Sequence, residues 1–237
     1  MNQEQPISSL LDHALLHPTL TDDELRAGCE LARELQAATV CVKPYAVQLA
    51  VEVLQGSETS VGTVIGFPHG SNATEIKAIE AELACRNGAT EVDMVVNVGK
   101  VLQGDWDFVL NDIAAVTGVA RNHEAIVKVI FETDFVTDDD AKRKLCQICE
   151  EVGVDFVKTS TGFGFTKQDG SYNYTGATAE DIKLMRATCG DSVGVKASGG
   201  IRSFEDAAKF RELGATRLGT SASKAIVEGA GTDDSSY

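Results

Sequence analysis

The run Asp155-Phe156-Val157-Lys158-Thr159-Ser160-Thr161-Gly162 drives a lysine into the end of an apolar segment and follows it with a hydroxyl-rich turn closed by glycine. As a strand, it places Phe156, Lys158 and Ser160 on one face and Val157 and Thr159 on the other. An ammonium on a face fit for burial either pairs with a carboxylate or lowers its pKa until it is a neutral amine, which is a nucleophile. Two more lysines hold similar places, in Val127-Lys128-Val129 and Val195-Lys196-Ala197. Asp93, on the same face as Glu91 in Glu91-Val92-Asp93-Met94-Val95, supplies a carboxylate partner. Lys158 and Lys196 precede small, turn-forming residues, the position of a functional amine. Lys128 lies deeper in its run, and a buried ion pair accounts for it as well as chemistry does. Two neighbouring ammonium groups repel, so one is displaced from about 10.4 towards neutrality, and a fall of about 3 units corresponds to roughly 4 kcal/mol. These residues alone do not rank Lys158 above Lys196.

Glycine-rich turns follow the late apolar runs. Thr161-Gly162, Ser198-Gly199-Gly200-Ile201-Arg202 and Gly219-Thr220-Ser221 can present backbone N–H groups and hydroxyls to a phosphate, with helix N-termini behind the last two. Asp12 is a strand-end acid. His13 and His17 are four residues apart beside it, but Pro18 follows at once and no third ligand converges, so a metal is not expected. His69 lies on a strand-end loop where a turn role and a substrate contact are equally open. Cys41 is expected to be a packed thiol, and Lys43 is left open between mouth and solvent. Cys146 and Cys149 have no second half of a zinc set, and six cysteines without an export signal read as reduced thiols of a cytoplasmic protein.

Positioning these residues requires a repeating scaffold, and short β-branched runs do alternate with amphipathic segments along the chain. Strands are expected at 12–16, 39–42, 61–66, 91–96, 126–131, 155–160, 193–197 and 216–219. Helices are expected near 22–35, 44–56, 74–87, 106–120, 138–152, 179–187, 204–213 and up to 228. The phrases Asn87-Gly88-Ala89-Thr90, Val152-Gly153-Val154-Asp155 and Leu213-Gly214-Ala215-Thr216 each end a helix with glycine and enter a strand at once. About eight βα units in 237 residues favour a closed (β/α)8 barrel, a TIM barrel, over a doubly wound open sheet. No linker divides the chain, so 1–237 reads as one domain with a tail at 228–237. A net charge of −15 argues against nucleic acid or an anionic membrane as partner, and no run approaches 18 apolar residues. An anionic substrate must be met by a local site that opposes the overall field.

Several segments together resemble the deoxyribose-phosphate aldolase family: Leu11-Asp12-His13, Gly66-Phe67-Pro68-His69-Gly70, Glu91 through Val95, Asp155 through Gly162, Val195 through Arg202, and the terminal Ser236-Tyr237. The resemblance covers nearly the whole chain. It implies a class I aldolase that cleaves 2-deoxy-D-ribose 5-phosphate to acetaldehyde and D-glyceraldehyde 3-phosphate, without metal or organic cofactor. It makes Lys158 the Schiff-base lysine, with Lys196 depressing its pKa and joining Asp93 in proton transfer. Asp12 corresponds to a residue near the substrate hydroxyls; Thr161, Gly162, Gly199, Gly200 and Ser221 fall in phosphate-contacting turns. Tyr237 matches a tail tyrosine that assists enamine protonation in some members. Ser198 stands where alanine is common, and Ala222 where some members have serine. A homodimer is the expected assembly.

Overall fold

The computed structural model describes residues 5–168 and 170–229. Eight parallel strands close on themselves: β1 (Leu11–Leu15), β2 (Thr39–Val42), β3 (Ser60–Ile65), β4 (Glu91–Val95), β5 (Ile126–Ile130), β6 (Phe156–Lys158), β9 (Gly194–Ser198) and β10 (Arg217–Thr220). Closure rests on β1, where Asp12 stands opposite Thr39 of β2 and Gly219 of β10. The open doubly wound sheet is thereby excluded. Helices α1 (Asp22–Glu34), α2 (Val47–Val53), α3 (Thr74–Arg86), α4 (Val98–Gln103), α5 (Trp106–Asn122), α6 (Asp139–Val152), α7 (Ala179–Thr188), α8 (Phe204–Glu212) and α9 (Ser223–Glu228) connect the strands. A separate antiparallel hairpin, β7 (Thr166–Gln168) and β8 (Ser171–Asn173), interrupts the rhythm after β6.

Local chemistry explains many of the boundaries. Thr21 and Glu24 form a reciprocal capping box at the start of α1, while Asp138, Thr178 and Ser203 each accept a backbone N–H at the start of α6, α7 and α8. Gly153 ends α6 in the left-handed conformation that glycine adopts without steric cost. Pro44 opens a short 3-10 turn rather than the helix itself, which begins only at Val47.

The apolar core lies between the barrel's outer face and the helices, where Val92, Met94, Val129, Val157, Val195 and Leu218 meet Ile113, Val116, Leu145, Ile148, Ile182 and Ile226. The inner face is different in kind, because Asp12, Glu91, Asp93, Lys128, Lys158 and Lys196 are all buried there. β1, β4, β5, β6, β9 and β10 alternate by the period-2 rule, with their acids, lysines and Arg217 turned inward. Gly194 is part of this arrangement, since a Cβ at that position would stand 2.4 Å from the Phe156 ring, which stacks beneath the Arg217 guanidinium at 5.2 Å.

Helix α3 departs from its sequence pattern. Ile76, Ile79 and Leu83 point outward, while Lys77, Ala81 and Ala84 pack inward. Lys77 wins the inner face because it has partners there: its Nζ donates to Asp112 Oδ2 of α5 at 2.6 Å and to the Val95 carbonyl at 2.9 Å. The small alanines let α3 sit close. This buried pair ties two helices to the end of β4, the strand that carries Asp93. Removing one partner leaves an uncompensated charge, so Asp112→Ala should destabilise the fold by roughly 3–5 kcal/mol. Replacing both, as Lys77→Met with Asp112→Leu, should recover much of that loss, read by urea denaturation of the three variants.

Candidate active site

Strand register brings the site together. Lys158 of β6 stands directly opposite Lys196 of β9, and Asp93 of β4 opposite Lys128 of β5, so four strands aim ionic groups at the barrel axis. Asp93 is wholly buried and accepts from all three lysines: Lys128 at 2.6 Å on Oδ1, Lys158 at 2.8 Å and Lys196 at 2.7 Å on Oδ2. Lys196 also donates to Asp12 Oδ2 in a very short contact. Below them, Lys128 reaches Glu91 at 2.6 Å, and Arg217 binds Asp12 Oδ1 at 2.7 Å and Glu91 Oε2 at 3.1 Å.

Burial works against both carboxylates, but the surrounding cations outweigh it and hold Asp12 and Asp93 well below the usual carboxylate range. The lysines divide. Burial pulls all three amines down, yet carboxylate contacts raise Lys196 and Lys128 above the ordinary lysine value. Lys158 alone of the three is lowered, first by burial and then by the Lys196 charge, against the pull of Asp93. The Lys196 charge is therefore the secondary cause, behind desolvation.

A cavity of about 430 Å³ opens over this cluster at the C-terminal mouth of the barrel. Asp12, Lys158 and Lys196 line it together with Thr161, Gly162, Gly199, Gly200 and Ser221, while Asp93 lies behind its wall. Thus nine of the ten residues singled out from the sequence converge here; the tenth, Tyr237, lies outside the described residues. Ile201, Arg202 and Thr220, which belong to the glycine turns read from the sequence, join them in the lining, and Phe163, Phe165, Asn173 and Tyr174, which had no local signal as site residues, come from in and around the hairpin. Phe165 and Tyr174 meet edge to face at 5.6 Å.

The loops are braced from behind by two acids. Glu132, buried and held at φ +55°, accepts from Ser160 Oγ at 3.0 Å, Thr161 N at 3.3 Å and Thr161 Oγ1. Asp134 accepts from Ser160 Oγ at 3.0 Å and from the Thr175 and Gly176 backbone N–H groups. β6 stops at Lys158 because the Ser160 backbone leaves the ladder for the Ser198 hydroxyl, which accepts from its N–H and donates to its carbonyl. Gly176 is pressed so tightly on the Gly199 turn that a Cβ there would lie 2.5 Å from the Gly199 carbonyl.

The other candidates fall elsewhere. Buried His13 bonds Ser223 Oγ at 2.9 Å through Nδ1, and burial pushes its pKa to about 4. His17 lines the mouth, with Nδ1 2.8 Å from Thr19 Oγ1. Lys43 donates to the His17 and Leu20 carbonyls at 3.0 and 3.3 Å. Cys41 does line the cavity, with burial pushing its thiol up to about 11. Among the described residues no group of three or more His, Cys, Asp or Glu is arranged to hold a metal, and no helix is long and apolar enough to cross a membrane.

Comparison of the sequence with known proteins points to an aldolase family. A family model described as DeoC/LacD family aldolase matches residues 7–229. The deoxyribose-phosphate aldolase of Listeria monocytogenes is 49% identical over 223 residues, covering 94% of this chain and 95% of the relative. That of Carboxydothermus hydrogenoformans is 48% identical over 225 residues, covering 94% of each. Among solved structures, QR15, an aldolase, superimposes with a TM-score of 0.86 at 36% identity over 95% of this chain and 96% of that one. The tetrameric deoxyribose phosphate aldolase from Aeropyrum pernix does so with a TM-score of 0.83 at 28% identity, over 94% and 89% of the two chains. With its closed barrel and its lysine-lined mouth, the chain belongs to the DeoC/LacD family of aldolases.

Proposed function

We propose that this aldolase reversibly cleaves 2-deoxy-D-ribose 5-phosphate to acetaldehyde and D-glyceraldehyde 3-phosphate, through a Schiff base on Lys158. One observation carries the reading: of the three inward lysines, Lys158 lines the cavity while sharing its carboxylate oxygen, Asp93 Oδ2, with Lys196, and burial and that neighbouring charge shift its pKa downward. Only an unprotonated amine adds to a carbonyl. Relatives at nearly half identity carry the same activity in their names, which supports the substrate.

The Lys158 amine adds to C1 of the open-chain sugar phosphate to give a carbinolamine. Lys196, hydrogen-bonded to Asp93 and Asp12, delivers the proton with which water leaves, and an iminium forms. The C3 hydroxyl then loses its proton, its C–O becomes the carbonyl of glyceraldehyde 3-phosphate, and the C2–C3 electrons flow into the iminium. An enamine remains on Lys158; protonation at C2 and hydrolysis release acetaldehyde and restore the amine. The protonated nitrogen is the electron sink throughout, so the scheme assigns no step to a metal. Tyr237 is assigned the C2 protonation. Gly162, Gly199, Gly200 and Ser221, with Thr161 and the neighbouring Arg202, are assigned to the phosphate; Gly199 and Gly200 lie just ahead of α8, whose N-terminus favours an anion despite the −15 net charge. The working assembly is taken as a cytoplasmic homodimer, whose mass light scattering would read directly.

Mixing the protein with acetaldehyde and borohydride should leave one ethyl group on Lys158, found by peptide mass spectrometry, and none in Lys158→Ala. A label on Lys196 would reverse the two lysine roles. Lys196→Met should lower kcat by about 10²-fold or more, since it removes both a proton donor and part of the field on Lys158. Activity should fall as pH drops through the lowered Lys158 pKa, because the amine gains a proton there, and the acid limb of the kcat/KM profile measures that value. Tyr237→Phe should slow turnover while leaving borohydride trapping intact.

A further inference from the structure

The charges inside the barrel do not balance. Those facing Lys158 are Asp12 on β1, Glu91 and Asp93 on β4, Lys128 on β5, Lys196 on β9 and Arg217 on β10. The thiol of Cys41 on β2 stays neutral, and β3 carries no titratable residue. His17, Tyr174 and Arg202 share the cavity above, and Glu132 and Asp134 stand behind the hydroxyls of Ser160 and Thr161. Among the described residues of the contiguous network, Lys128, Lys158, Lys196 and Arg217 face only Asp12, Glu91 and Asp93. Four cations thus meet three carboxylates.

A buried excess charge is costly, and the cheapest relief is loss of a proton from the least supported cation. Lys128 touches three carboxylates, at 2.6, 2.6 and 3.4 Å. Lys196 touches Asp12 and Asp93, and Arg217 touches Asp12 and Glu91. Among the described residues Lys158 has Asp93 Oδ2 alone, and shares that oxygen with Lys196. A guanidinium cannot release its proton in a protein. The excess is therefore permanent until an amine gives way, and Lys158 is the amine with least to lose.

We propose that Arg217, which does not line the cavity, is a positioning residue of the reaction: it supplies the uncompensated positive charge that keeps the Lys158 amine unprotonated. It acts through Asp12 and Glu91, whose negative charge it engages and withholds from the lysines above. Neutralising Arg217 leaves three cations for three carboxylates, and Lys158 can then keep its proton at no net charge. Neutralising Glu91 has the opposite sense, since four cations then meet two carboxylates. This inference rests on the Schiff-base reading of Lys158.

The test is the pH dependence of imine formation with acetaldehyde, trapped by borohydride and read at the Lys158 peptide, in the full-length protein. In Arg217→Met the acid limb should move to higher pH by about one unit or more, in Glu91→Gln it should move lower, and in the double variant it should return towards wild type. Damage to packing alone would depress the plateau without giving the single variants opposite shifts that cancel. A folded Arg217→Met with an unmoved limb, or two single variants shifting the same way, overturns the inference. If Arg217→Met does not fold, Glu91→Gln decides alone, and the absence of a downward shift overturns it. Wild-type protein without an adduct at Lys158 overturns the aldolase mechanism as well, whereas a wild-type adduct with unmoved limbs overturns only the role of Arg217.

Discussion

Everything in this barrel depends on one carboxylate. Asp93 is fully buried and holds three amines at once, within 2.6–2.8 Å. It is the reason three lysines can be taken out of water, and its second oxygen forces Lys158 and Lys196 to share what either could use alone. A shared acceptor cannot stabilise two full ammonium charges equally. The asymmetry between the two lysines follows from the additional contact that Lys196 makes with Asp12. Reactivity here is a consequence of unequal pairing within a crowded, low-dielectric interior.

Such an interior has a structural cost that the rest of the fold carries. Ionic groups fill the barrel where many barrels place branched aliphatic layers, so cohesion falls to the apolar shell between sheet and helices. The shell is reinforced where it matters for the site. Lys77 and Asp112 secure the Val95 end of β4, and Glu132 and Asp134 fix the turn after β6 and the loop beside Gly199. The glycine turns at the mouth thereby meet the lysine side at a set distance, as the proposed reaction, which holds both ends of one substrate, requires.

The barrel was legible because each βα unit announces itself locally: a β-branched run, an acidic or hydroxyl helix start, and a glycine stop such as Gly153. Lys158, Lys196 and Asp93 were legible because an ionic residue inside an apolar alternation has no ordinary surface explanation. Arg217 was hidden for the converse reason, since an arginine at the first residue of a strand looks like a solvated edge until Asp12 and Glu91 are seen to close over it. Lys128, open between structure and chemistry in the sequence, lies below the cavity as the best-paired cation of the network. The outward turn of Ile76, Ile79 and Leu83 could not be read from periodicity, which names an apolar face without saying that a paired lysine can outcompete it. The Glu132 brace joins residues nearly thirty positions apart, which no local pattern encodes, whereas α4, bounded by Asn97 and Gly104, and the β7–β8 hairpin are local elements too short to stand out by periodicity.

The central claim is that one lysine in the apo barrel is an unprotonated amine and that it is Lys158. It is tested most directly by a carbon-13 NMR titration of lysine Cε signals in labelled protein, with Lys158, Lys196 and Lys128 assigned by single substitutions. Lys158 should titrate below the ordinary lysine value of about 10.4 and ahead of the other lysines, while Lys196 and Lys128 stay charged beyond it. A Lys158 signal that titrates with the surface lysines, or a Lys196 signal that titrates first, would contradict this picture of the site.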